Sequence, residues 1–164
     1  MRTNAPPLKT SAHQQQPSTE TVHARCPACA SRLTHKPARR VITCPTCAES
    51  LGTSDIRIEG TLQTASIRTT GAVTIATGAD ASVAEIHAAG AVTIHGTLEA
   101  NIHTLSTIRL TNDALWRGNA AAAAADIAPG ATAEGPITIH PPATPASPTA
   151  RTPKPIHHTN TPTA

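Results

Sequence analysis

The sequence predicts an all-β chain: a short parallel β-helix of about five coils, preceded by a small cysteine-bearing ribbon, with disordered ends. Three observations predict it. A unit of about 17 residues repeats between residues 56 and 140. Large aromatic side chains are almost absent, with one Trp and neither Phe nor Tyr. Four cysteines fall into two Cys-Pro-x-Cys units close together.

The amino-terminal arm, residues 1–24, is polar and rich in Gln and Pro. It cannot bury enough apolar surface to offset chain entropy, so disorder is expected. Charge divides the chain in the same places. Residues 1–55 hold seven Lys/Arg against three Asp/Glu, residues 56–140 hold four against seven, and residues 141–164 hold two against none. A basic arm at this density is a solvated segment more often than a nucleic-acid grip. No apolar run approaches the roughly 18 residues of a membrane span. The first residues lack the apolar stretch of a secretory signal, so the expected compartment is the cytoplasm.

Residues 25–50 form the ribbon-like segment. Cys26-Pro-Ala-Cys29 and Cys44-Pro-Thr-Cys47 each suit a tight knuckle that aims two thiolates at one point. Two such knuckles complete a tetrahedral sulfur site for zinc, or for iron of the rubredoxin type. In a reducing compartment this spacing reads as metal-binding rather than disulfide-forming. Four thiolates leave no open position for water, so the expected role of Zn is structural. A segment this small should fold only with its metal. Redox-active Cys-x-x-Cys pairs are the competing reading. Ribbons often carry Gly after each knuckle, and here Ala30 and Ala48 occupy those places. Arg25, Arg32, Lys36, Arg39 and Arg40 surround the site, yet no aromatic is present for base stacking, so nucleic acid is not the expected partner.

Residues 56–140 carry the repeat. Five apolar pairs align: Ile56-Arg-Ile58, Val73-Thr-Ile75, Val92-Thr-Ile94, Ile108-Arg-Leu110 and Ala125-Asp-Ile127, spaced by 17, 19, 16 and 17 residues. A second apolar column is expected four residues on, at Leu62, Ala79, Leu98, Ala114 and Ala131. A third is expected near Ile67, Val83 or Ile86, Ile102 and Ala120. Alternation of apolar and polar residues is the strand period. Helical repeats need units of about 33 residues or more. Three short strands and their turns fill about 17, which makes one coil of a triangular β-helix whose inward side chains stack on like positions above and below. A β-sandwich would not repeat side-chain identity at a fixed offset. The alanines of Ala120–Ala125 favour helix by propensity, but register places them on a strand and its corner. Trp116 is expected to cover the thin layer they leave.

The tail, residues 141–164, contains seven of the fifteen prolines. It is expected to be extended and disordered. Pro142–Pro145 and Pro145–Pro148 have PxxP spacing, a pattern such tails produce by chance.

The phrases Ile58-Glu-Gly-Thr-Leu62, Ala84-Glu-Ile-His87, Ile94-His-Gly-Thr-Leu98, Arg117-Gly-Asn119 and Pro129-Gly-Ala-Thr-Ala-Glu-Gly135 resemble those of bactofilins. The resemblance implies a right-handed β-helix with disordered flanks. It also implies nucleotide-independent, end-to-end polymerisation and a scaffolding role for cell-shape or envelope proteins, often at the inner face of the membrane. Three departures stand out. A zinc ribbon is not part of the basic family plan, Thr132 and Ala133 replace an aromatic that many members carry near Glu134, and the amino-terminal arm lacks an obvious hydrophobic membrane-targeting peptide.

The physics of a β-helix agrees, because its terminal strands expose unpaired edges. No capping helix is evident at either end. Terminal coils 56–72 and 125–140 are therefore the expected self-contacts, through Ile56, Ile58 and Leu62 at one end and Ile127, Ile137 and Ile139 at the other. The expected partners are other copies of the chain and a protein cargo, with no small-molecule substrate. An adaptor or nucleic-acid-binding ribbon on a β-helix multimer is the alternative. A zinc-dependent β-helix enzyme is a weaker one, suggested by His87, His95 and His103 at intervals of eight. Those enzymes use a strict six-residue repeat, and alternation turns these histidines outward. No catalytic residue set is evident.

Overall fold

A computed structural model describes residues 21–140. The PxxP motifs, the tail and most of the amino-terminal arm lie outside the described residues. Sixteen strands and no helix make up the described chain.

The solenoid has three faces. The first is a five-stranded sheet of β5 (Ile56–Ile58), β7 (Val73–Ile75), β9 (Val92–Ile94), β11 (Thr107–Leu110) and β14 (Ala124–Ile127). Every neighbouring pair is parallel, and the register aligns Ile58, Ile75, Ile94, Leu110 and Ile127 in one column. This is the column that the apolar pairs predict. The three longest strands, β6 (Thr61–Thr69), β8 (Asp80–Ala88) and β10 (Thr97–Thr104), bend to serve both remaining faces. In coil 4 those faces are the separate strands β12 (Leu115–Arg117) and β13 (Ala120–Ala122). In coil 5 they are β15 (Thr132–Glu134) and β16 (Ile137–Ile139).

The third-face column runs through Ile67, Ile86, Ile102 and Ala120, as expected, and continues to Ile137. The second-face column differs from expectation. Leu62 and Leu98 align with Ala81, Trp116 and Ala133, not with Ala79, Ala114 and Ala131. The reason is turn length. Two residues, Glu59-Gly60 and His95-Gly96, separate the first and second faces in coils 1 and 3. Four do so in coils 2, 4 and 5, around the positive-φ residues Gly78, Asp113 and Gly130.

Corner lengths also explain the uneven steps. Coil 2 gains two residues at that first corner relative to coil 1, giving 17 + 2 = 19. Coil 3 returns to the short turn and lacks the extra corner residue seen as Ala84, where the register with β8 shifts, giving 17 − 1 = 16. Coil 4 has the long first turn, no extra residue at the second corner, and one fewer at the third, giving 17 + 2 − 1 − 1 = 17. The columns stay aligned throughout. The recurring Gly-Ala-Val-Thr-Ile phrase has a packing cause: a Cβ on Gly90 would lie 2.7 Å from the Gly71 carbonyl below it.

The core is built mainly from small and branched side chains. Val73, Ile75, Ile86, Val92, Ile94, Leu98, Ile102, Ile108 and Leu110 are fully buried. The alanine run forms strands β13 and β14 with a corner at Ala123. Trp116 is fully buried in the same cluster as Ala114, Ala120 and Ala122, and its indole N–H donates to the Ala100 carbonyl at 3.2 Å. It fills coil 4 where alanines fill little.

Before the solenoid come β1 (Val22–Arg25), β2 (Arg32–His35), β3 (Val41–Thr43) and β4 (Ser50–Gly52). The first two pair antiparallel from Val22↔His35 to Arg25↔Arg32, so this hairpin starts three residues before the boundary drawn at residue 25. Strands β3 and β4 form a second antiparallel hairpin. Strand β4 then pairs parallel with β6 through Gly52↔Thr69. The second hairpin of the ribbon and the third face are thus one continuous sheet, while β1 and β2 form a sheet of their own.

Candidate functional site

The two knuckles have the same backbone design. In each, the amide of the first cysteine donates to a carbonyl five residues on: Cys26 to Ser31 at 2.9 Å and Cys44 to Glu49 at 2.8 Å. The amides of Ala30 and Ala48 donate back to Cys26 and Cys44 at 2.8 and 2.9 Å. Closing these turns requires the left-handed region at the residue after each knuckle, and Ala30 and Ala48 have φ of 58° and 59°. Glycine would take that conformation without the penalty a Cβ incurs.

The hairpins bring the knuckles face to face. The Sγ atoms of Cys26, Cys29, Cys44 and Cys47 all lie within 4.8 Å of one another, the one cluster of this kind among the described residues. Across the knuckles, Cys26–Cys47 and Cys29–Cys44 are each 3.6 Å apart. All four thiols are free. A tetrahedral centre with metal–sulfur bonds of about 2.3 Å sets its sulfurs about 3.8 Å apart, so the cluster fits such an ion. The Ser31 hydroxyl lies 3.3 Å from Cys44 Sγ and 3.1 Å from Cys29 Sγ. It lowers the Cys44 thiol to about 5 and also lowers Cys29. Removal from water, with the neighbouring thiols, pushes Cys47 up to about 12. Four thiolates this close repel one another, and a bound cation is what would let all four ionise. The four cysteines could hold a metal ion, and a filled sulfur set would make it structural.

A small core backs the cluster: Cys26, Leu33, Cys44 and Leu51 are buried, with Ala24 and Ile42 packed against them. Leu51 is fully buried there, while the next residue, Gly52, already belongs to the solenoid sheet. Glu49 forms an ion pair with Arg68 of the first coil, and Arg68 reaches Glu85 of the second at 3.7 Å. The basic residues Arg25, Arg32, Lys36, Arg39 and Arg40 are all exposed.

The three histidines do not converge. His87 and His103 sit on adjacent rungs of the third face with rings stacked at 5.4 Å. His95 lies at another corner, its Nδ1 3.0 Å from the Thr111 hydroxyl.

At the ends of the rod the proposed contact residues separate into two groups. Ile58 is buried at 5% exposure, and Ile56 and Leu62 are half-buried against the core. At the other end Ile127 and Ile139 are 46% and 48% exposed although both continue interior columns, and Ile137 is half-buried. Arg109–Asp126 at 3.0 Å and Arg117–Glu134 at 2.6 Å bind coil 5 to coil 4 on the outside. Sequence reasoning missed Val41, which is 58% exposed and stands in register with Gly52 and Thr69. Its signal was the apolar pair Val41-Ile42 before the second knuckle.

The model of the bactofilin family, described as polymer-forming cytoskeletal, matches residues 49–138. The chain belongs to the bactofilin family. It is therefore a polymer-forming cytoskeletal protein, of a structural rather than a catalytic family. The bactofilin match begins one residue before β4 and runs through the solenoid to Thr138 in β16, leaving both cysteine knuckles outside it. No curated protein and no solved structure matches the chain. Among the described residues no helix is long and apolar enough to cross a membrane.

Proposed function

We propose that this bactofilin is a cytoplasmic scaffold whose copies assemble end to end without nucleotide, and whose zinc-bound ribbon recruits a protein cargo. The interior columns carry the reading. The first-face column runs Ile58, Ile75, Ile94, Leu110 and then stops at a half-exposed Ile127. A further coil would complete the burial and pair the open backbone edge. Assembly of this kind needs no bound ligand, and no phosphate-cradling glycine loop is evident in the sequence. The four-cysteine ribbon lies outside the family match, and a joint between two copies would already present two ribbons to one partner. The terminal coils, with Ile127, Ile137 and Ile139 foremost, are the proposed contacts. Placement at the inner face of the membrane fits the same reading.

The test is negative-stain microscopy of the purified chain in nucleotide-free buffer, with and without its metal. Filaments in either metal state support the reading. Discrete particles in both, at every salt concentration, would defeat it. For recruitment, proteins that co-purify from the host should be lost when Cys26 and Cys44 are replaced by serine. Unchanged co-purification would remove the ribbon from that role.

A further inference from the structure

We propose that the ribbon is a metal-dependent cap on the amino-terminal end of the solenoid. Metal-loaded copies then join only through their carboxy-terminal coils and stop at pairs, and loss of the metal opens the other end to growth. The inference rests on the scaffold reading above.

The first support is which edge is already paired. The family match starts at Glu49, one residue before β4. Strand β3 precedes the match and runs antiparallel along the outer edge of β4, with Val41↔Gly52, Ile42↔Leu51 and Thr43↔Ser50. The β4 edge that an incoming copy would need is therefore occupied by the chain itself.

Shape is the second support. Strands β3 and β4 extend the third face only. On the other two faces the outermost strands are β5 and the first half of β6. The end is a step about 9–10 Å high, two strand spacings. A flat terminal coil cannot pair with all three faces of such a step at once. At the far end β14, β15 and β16 complete a coil, and no described strand lies beyond them. There Ile127 and Ile139 present apolar surface in line with the core.

The third support links the step to the metal. The second knuckle is the turn of the β3–β4 hairpin, closed by Cys44 N–H to Glu49 at 2.8 Å. Leu51 of β4 is buried against Cys26, Cys44 and Leu33. So small a cluster does not hold a fold without its ion. Losing the ion frees β3 from β4, whereas the solenoid has its own core of twenty-one buried residues. Symmetry then sets the size. A head-to-tail contact needs both ends, so with one end closed only a two-fold contact between identical carboxy-terminal coils remains, and it closes on itself.

The experiment measures particle mass by mass photometry, and shape by negative stain, on three preparations of the full chain. They are metal-loaded protein with its metal content measured, the same protein stripped by chelator under reducing conditions, and Ile42→Pro, which breaks the β3–β4 pairing by another route. The expected result is two-chain particles when loaded, and filaments of many chains when stripped or carrying Ile42→Pro. Restoring the metal should shorten the stripped filaments. Long filaments in the loaded state would overturn the cap and leave the scaffold reading intact. Single chains in the loaded state would overturn the cap by showing that the carboxy-terminal end is covered too. No growth in any preparation would overturn both readings. Circular dichroism follows the coils, and loss of their β signal on stripping also counts against the cap, which requires the solenoid to outlast the ribbon.

Discussion

Replacing Ile127 and Ile139 together by lysine should dissolve the carboxy-terminal joint. Both side chains are close to half exposed, at 46% and 48%. Full burial of such a residue is worth about 1.5–3 kcal/mol, so finishing it contributes roughly 1 kcal/mol per side chain. A two-fold joint buries two from each copy, or about 4 kcal/mol, which is about a thousandfold in dissociation constant. Lysine removes that term and places charges opposite one another, which weakens the joint further. The fold should tolerate the change, because neither side chain is enclosed and lysine is common on sheet edges. Sedimentation velocity over a dilution series reads the joint, and thermal melting checks the fold. An unchanged mass distribution in a variant that melts normally would show that the joint lies elsewhere.

Other expectations follow from single sites. Trp116→Ala should cost about 3–5 kcal/mol in urea unfolding, because the indole fills a coil otherwise lined by alanine. Gly118→Ala should cost more than about 1 kcal/mol in the same assay, since φ is 136° and a Cβ there would collide with the Ala100 carbonyl. Arg117→Ala should leave the urea midpoint almost unchanged despite the 2.6 Å contact with Glu134, because both partners are half exposed and water screens the pair. Chelation should remove one metal per chain and abolish amide protection in residues 22–52 while residues 73–110 keep theirs, as read by hydrogen exchange. Equal loss in both regions would contradict separate cores.

The columns of Ile58 and Ile67 were legible in the sequence because interior stacking repeats residue type at each turn. The Leu62 column was misread by two residues at Ala79, Ala114 and Ala131. Those alanines are themselves apolar and lie at the turns, so composition could not separate a corner from a rung. The cysteine cluster was legible because ligand chemistry fixes spacing. The junction was not. Leu51 and Gly52 are adjacent in sequence, yet one faces the ribbon core and the other joins the solenoid sheet. A single strand shared by two small units has no periodicity to reveal it, and the apolar content of Val41–Thr43 looks the same whether it closes a knuckle or lines an edge. Trp116 was placed correctly over the alanine layer, since no other large side chain was present to fill it.

The shared strand β4 also determines how the molecule transmits direction. No linker separates the ribbon from the rod, and the ion pair of Glu49 with Arg68 braces the joint from the side. Whatever grips the ribbon is therefore held at a set angle to the rod axis rather than on a flexible leash. A scaffold built this way passes on orientation as well as proximity, and lengthening the segment between Leu51 and Ile56 would cost it the first while sparing the second.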